Sequence, residues 1–223
     1  VNSATRATVS TFGALAALAG LEHGIGEVLQ GNTAPGGTVI LSWPDSAFFR
    51  VVGGEPAMTL VPNLLTSGIL TILISLAFLM SATLFVQRKN GGLVLILLSI
   101  ALLLVGGGFG PPLLGIILGI VGTQINSPLT WWHTHVSRGA RQVLGQVWPW
   151  SFAVALMVWL LLFPGLSILG YFFAVDGPKV VPVVALAAFG FLLLTILAGF
   201  AHDAQHQTGF HQTPSMSGGG HTT

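Results

Sequence analysis

From residue 92 to residue 123 the chain is apolar for about 32 residues, with no acidic or basic side chain in the run. A membrane crossing needs roughly 20 such residues. The run is therefore long enough to enter hydrocarbon and too long to cross it once without a break. The break is written into it as Gly106-Gly107-Gly108-Phe109-Gly110-Pro111-Pro112, where glycine and proline deny a regular helix. Two helices are expected, 92–105 and a short 113–123. The second carries Gly115 and Gly119 in the small-xxx-small spacing that lets membrane helices approach closely. A helix of about 11 residues rises about 17 Å, short of the hydrocarbon core, so its length favours a re-entrant segment over a crossing.

The rest of the chain has the same character. Charged residues are 6% and apolar residues 52% of the sequence, whereas a soluble domain is about a quarter charged. The fold class this predicts is all-α, a polytopic transmembrane helical bundle. It has five spans plus the short broken or re-entrant helix, or six spans if that helix crosses. A single transmembrane domain covers 1–207, with spans at about 9–29, 58–86, 92–105, 113–123, 148–173 and 181–202. A Gly- and Pro-rich stretch, 30–57, is expected as an extramembrane cap, with strand-like pieces at 38–43 and 47–52. In 128–147 the apolar residues Val136, Ala140, Val143, Leu144 and Val147 recur at helical spacing opposite Arg138, Arg141, Gln142 and Gln146. That pattern predicts an interfacial amphipathic helix, flanked by Trp131, Trp132, Trp148 and Trp150 at belt depth. A polar tail, 208–223, follows, of a composition that builds no core. The amino end, with Arg6 before an apolar run, has some look of a signal peptide. Its periodicity nevertheless continues through Ile25, Val28 and Leu29.

Several classes drop out. The chain has no cysteine, which removes disulfides, thiolate metal sites and iron–sulfur clusters. A formal net charge of +1 offers no basic face for nucleic acid. The expected partners are the lipid bilayer and other membrane subunits or further copies of the chain. Six spans would place Arg6, Arg88, Lys89, Arg138 and Arg141 on one side against Arg50 and Lys179, a clear positive-inside bias; five spans would leave barely any bias.

Candidate site residues come from the scarce ionisable groups. Glu22, His23 and Glu27 lie inside the first span, where an unpaired ionisable side chain costs several kcal/mol. On a helical wheel they share one half of the helix with Gly13, Gly20, Gly24 and Gly26, while Leu18, Leu21, Ile25, Val28 and Leu29 take the lipid side. His202, Asp203 and His206 close the last span, with His211 beyond. His-Asp-Ala-Gln-His puts two imidazoles at i and i+4, the spacing of the zinc motif H-E-x-x-H with Asp in place of Glu. His133 and His135 add a further pair. Nitrogen and oxygen ligands without sulfur suit zinc, iron or copper. Haem fits less well, because the histidines stand near carboxylates and few arginines are at hand for propionates.

Gly91-Gly92-Leu93-Val94-Leu95-Ile96-Leu97-Leu98 running into Gly106-Gly107-Gly108-Phe109-Gly110-Pro111-Pro112 resembles a group of uncharacterised prokaryotic multi-pass membrane proteins. The resemblance implies a prokaryotic cytoplasmic membrane and brings no activity. Three functions are compatible with these residues. They are an accessory or scaffold subunit of a larger membrane complex with a buried Glu/His site, a proton- or cation-coupled transporter, and a membrane-embedded metal-dependent enzyme or metal-binding subunit.

Overall fold

The computed structural model describes residues 1–209; the rest of the expected tail, with His211, lies outside the described residues. Helix α1 (Ser3–Leu29) turns its glycines inward and packs on α2 (Leu64–Met80) and the π-helical turn Ser81–Phe85 that prolongs it. A Cβ on Gly24 would lie 2.9 Å from the carbonyl of Gly68, and one on Gly13 would lie 2.6 Å from the Ala82 side chain. Only glycine lets the two backbones come so close. Asn63 starts α2 by accepting the Thr66 N–H at 3.0 Å, an N-cap that satisfies one orphan donor.

Between these helices lies the cap. Strand β1 (Val39–Leu41) pairs antiparallel with β2 (Pro56–Met58), Ile40 opposite Ala57. The second expected strand, 47–52, is instead a turn followed by the 3₁₀ helix Arg50–Val52. Aromatic packing accounts for the difference: Phe49 stacks on Trp43 with ring centroids 4.9 Å apart, and Phe48 meets Phe49 edge-on at 5.0 Å. A left-handed run, Gly53, Gly54 and Glu55, then returns the chain to the strand.

Helices α3 (Gly91–Leu104) and α4 (Gly110–Gly122) form an antiparallel pair, closest where a Cβ on Gly92 would meet the Gly119 carbonyl at 2.5 Å. After a short α5 (Thr130–His135), α6 (Arg138–Leu160) runs unbroken through Pro149; a kink at Phe163, within Leu161–Gly165, then separates it from α7 (Leu166–Phe173). Residues 128–147, expected as a separate interfacial helix, thus fold as α5 and the opening turns of a long rod. Helix α8 (Gly177–Gly209) packs along α6. Trp159 anchors that contact, its indole N–H donating to the Ala188 carbonyl at 3.1 Å.

The chain passes back and forth six times. One end gathers residue 2, the turn after α2 and the end of α4: Asn2 N–H donates to Ile125 O at 2.7 Å, and Asn126 Nδ2 to Gln87 O at 2.8 Å. Asp203 of α8 lies at the same end, bonded to the start of α1. The other end holds the cap, where Leu60 N–H donates to Leu104 O at 2.9 Å and Val51 packs on Gly170 and Gly177. Four helical stretches are long and apolar enough to cross a membrane: Ser3–Leu29, Leu64–Phe85, Arg138–Phe173 and Gly177–Gln207. The shorter α4 still leads from the cap end to the opposite end. Its path is lengthened by hydrogen-bonded turns through Ile125 and by the buried glycines 106–108 ahead of it. Within the bundle Phe12, Phe78, Leu95, Leu114, Leu118, Trp159 and Leu192 are buried, while Leu18, Leu97 and Phe172 point outward. That outward apolar surface is what a hydrocarbon solvent requires.

Candidate functional site

Among the described residues, one group of three potential ligands brings its atoms within 4.8 Å of one another: Glu22, His23 and Glu55. Glu22 and His23 come from the cap end of α1. Glu55 comes from the cap turn, held at φ 55°. The His23 ring is 2% exposed and its Nδ1 lies 2.8 Å from Ser42 Oγ. In the tautomer protonated at Nδ1, that N–H donates to Ser42 and leaves the Nε2 lone pair facing Glu55 Oε2 at 3.5 Å. A second hydrogen bond on the far nitrogen is how metal-binding imidazoles are oriented.

The cap is fastened to α1 so that these parts meet. A Cβ on Gly26 would overlap the Ser42 carbonyl and come within 2.7 Å of the Trp43 ring, so glycine there lets β1's exit lie flat on the helix. Ser42 N–H donates to Glu55 O and Trp43 N–H to Gly54 O, each at 3.0 Å, fixing the carboxylate turn against the strand exit. On the other flank, Gly108 sits directly against the His23 ring at φ 76°; a Cβ there would overlap Nε2. The indole N–H of Trp43 lies beside Glu22, yet neither it nor Glu22 Oε1 closes a hydrogen bond among the described residues. Burial pushes the Glu55 carboxyl up to about 7, because a desolvated acid disfavours its charged form.

Two apolar clefts reach the cluster from either side of Phe163. One, of about 210 Å³, touches His23 and Glu55 and is walled by Trp159 and Phe189. The other, of about 260 Å³, touches Glu22 and Glu55 and runs outward past Leu18 and Leu160. Phe163 sits at the kink between α6 and α7, with the extended φ/ψ of −133° and 111°.

The remaining sequence candidates lie elsewhere. Glu27 is one turn from His23 but outside the three-residue cluster; it is fully buried against Gly106. His202, Asp203 and His206 lie near the opposite end of α1. Asp203 bonds Ala4 and Thr5, and the 18 residues from Thr5 to His23 rise about 27 Å along the helix. Asp203 accepts from Ala4 N at 2.9 Å, Thr5 N at 2.8 Å and Thr5 Oγ1 at 2.7 Å, so it caps α1 with its charge at the positive end of the helix dipole. His202 Nδ1 lies 3.3 Å from the Gly145 carbonyl and its ring packs on Trp148; His206 is exposed. His133 pairs with Arg141, and His135 stacks on Trp131.

Glu55 and Ser42 were not among the sequence candidates. The signal for Glu55 was present: it is one of only six carboxylates and follows a glycine pair in the cap. Compared with protein-family models, with curated proteins and with solved structures, the chain matches none.

Proposed function

We propose that this is an integral membrane protein that binds a first-row divalent metal, zinc, iron or copper, through His23 Nε2 and the carboxylates of Glu22 and Glu55. The observation that carries this reading is their convergence around a histidine whose other nitrogen is engaged by Ser42. Tetrahedral ligands on metal bonds of about 2.1 Å stand roughly 3.4 Å apart. The separation of 3.5 Å between His23 Nε2 and Glu55 Oε2 matches this. Two anionic carboxylates and one neutral imidazole would neutralise a dication in a buried setting, where unbalanced charge is costly.

Three protein ligands leave a coordination position open, the arrangement of metal sites that act on something rather than only hold the fold. A metal there would supply Lewis acidity or, for iron or copper, redox chemistry. The chain's own part is to orient the imidazole, exclude bulk water with the cap and present an apolar cleft to the open position. The accessory-subunit reading, which relies on glycine-rich faces for docking, has less support. Gly13, Gly20, Gly24 and Gly26 of α1 are used within the chain against Ala82, Ser75, Gly68 and Trp43.

Calorimetric titration of metal-free protein in detergent with Zn²⁺ tests the reading. One equivalent binds the wild type, and His23→Ala weakens binding by at least tenfold while His206→Ala does not. Equal binding in wild type and His23→Ala would overturn it.

A further inference from the structure

We propose that the chain has a second, separate cation site, a sodium site built around Glu27 where α3 breaks off. Glu27 is fully buried, and neither of its carboxylate oxygens has a hydrogen-bond partner among the described residues. An ionised carboxylate so placed requires a compensating charge.

Its surroundings are oxygen atoms. The carboxylate lies against Gly106, where φ is 111° and a Cβ would overlap both carboxylate oxygens. Beside it is the Ser67 hydroxyl, 2.5 Å from the carbonyl of Val105, the residue that ends α3; Thr71 Oγ1 donates to the same carbonyl at 2.7 Å. Thr59 Oγ1 lies 2.7 Å from Ser67 Oγ. Ser67 and Thr71 thus share the Val105 carbonyl as acceptor, and the Ser67 hydroxyl is the one polar side chain placed next to the Glu27 carboxylate among the described residues.

The Ser67 hydroxyl beside the carboxylate, bonded in turn to Thr59 and to the Val105 carbonyl where α3 ends, gives the acid a hard, oxygen-rich surrounding, and broken helices offer such surroundings to alkali ions in membrane proteins. The charge decides the valence. One carboxylate balances a monovalent ion, whereas a dication would leave a buried positive charge uncompensated. Glycine at 106 brings the break against the acid, and no basic side chain among the described residues pairs with Glu27. The site draws on α1, α2 and the α3 break, so an ion there ties together three elements of the bundle. It does not depend on the metal assigned to His23.

The probe is sodium itself. Thermal unfolding of the detergent-solubilised chain is followed at fixed pH and ionic strength as choline chloride is exchanged for sodium chloride. Sodium raises Tm by several degrees through binding to the folded state, and Glu27→Gln, which keeps the side chain's shape, removes that rise. Thr71→Val, a milder change on another helix, weakens the apparent sodium affinity by at least threefold, whereas Glu22→Gln leaves it unchanged. A wild-type Tm indifferent to the exchange would overturn the proposal. So would a sodium response that survives Glu27→Gln or is lost equally in Glu22→Gln.

Discussion

Glu22, His23 and Glu27 fall within six consecutive positions of one helix and meet three different environments. Glu22 faces the cap beside Trp43, His23 is held between Ser42 and Gly108, and Glu27 is closed in by Gly106. Their distance from water was legible in the sequence, since an α1 half made of glycine, histidine and glutamate has to face protein. His23 at 2% exposure and Glu27 at 0% exclude a solvated helix end, while Leu18, Ile25 and Leu29 turn outward as the wheel predicts. Glu55 adds a pH dependence. With its carboxyl raised from 4.5 to about 7, the folded chain keeps a proton that the unfolded chain releases, so unfolding free energy falls as pH rises between those values. The loss is on the order of 3 kcal/mol at most. Denaturant unfolding of the metal-free protein from pH 4.5 to 8 is expected to show that decline, and Glu55→Gln to flatten it. An unchanged slope in Glu55→Gln would assign the decline to other groups.

Elements of the fold were legible where apolar length or glycine spacing wrote them. The break at Gly106 to Pro112, the inward glycines of α1 and the close α3–α4 contact all follow from the sequence. The cap was only half legible. Alternation in 38–43 pointed to a strand, but its partner is Pro56–Met58, because ring stacking between Trp43 and Phe49 folds the intervening residues into a turn. Glu55 reached the site only through that pairing, across more than 30 residues of chain from His23. The His-Asp-Ala-Gln-His segment shows the reverse case, a ligand-like spacing whose acid serves a neighbouring helix. Replacing Asp203 by Ala removes four hydrogen bonds from the start of α1. It is expected to cost about 2 kcal/mol, read as a lower Tm with zinc binding at the cap end unchanged. Lost zinc binding in a folded Asp203→Ala chain would contradict the separation of these two ends.

For the molecule as a whole, six crossings would place Arg6, Arg88, Lys89, Arg138 and Arg141 at the end opposite the cap, with Arg50 and Lys179 at the cap end. The distribution has the bias that marks a cytoplasmic face, so the cap with its Glu22–His23–Glu55 cluster is proposed to face outward. The length of α4 favours a re-entrant segment, while the contacts of Asn2 with Ile125 and of Asn126 with Gln87 set the residues after it beside the turn that follows α2. The absence of cysteine makes the arrangement easy to test. Single cysteines at Arg6, Lys89 and Arg138 are expected to react with an impermeant maleimide from one side of sealed vesicles, and those at Arg50 and Lys179 from the other. Reaction of Lys89→Cys and Arg138→Cys from opposite sides would establish five crossings.

The metal assignment at the cap end is tested most directly by X-ray absorption at the cobalt edge, on chain loaded with one equivalent of Co²⁺ as a spectroscopic substitute for zinc. The account predicts a four- or five-coordinate shell with one imidazole nitrogen and carboxylate oxygens, and loss of the imidazole signal in His23→Ala. A shell of six water-like oxygens in the wild type, or an imidazole signal that persists in His23→Ala, would contradict it.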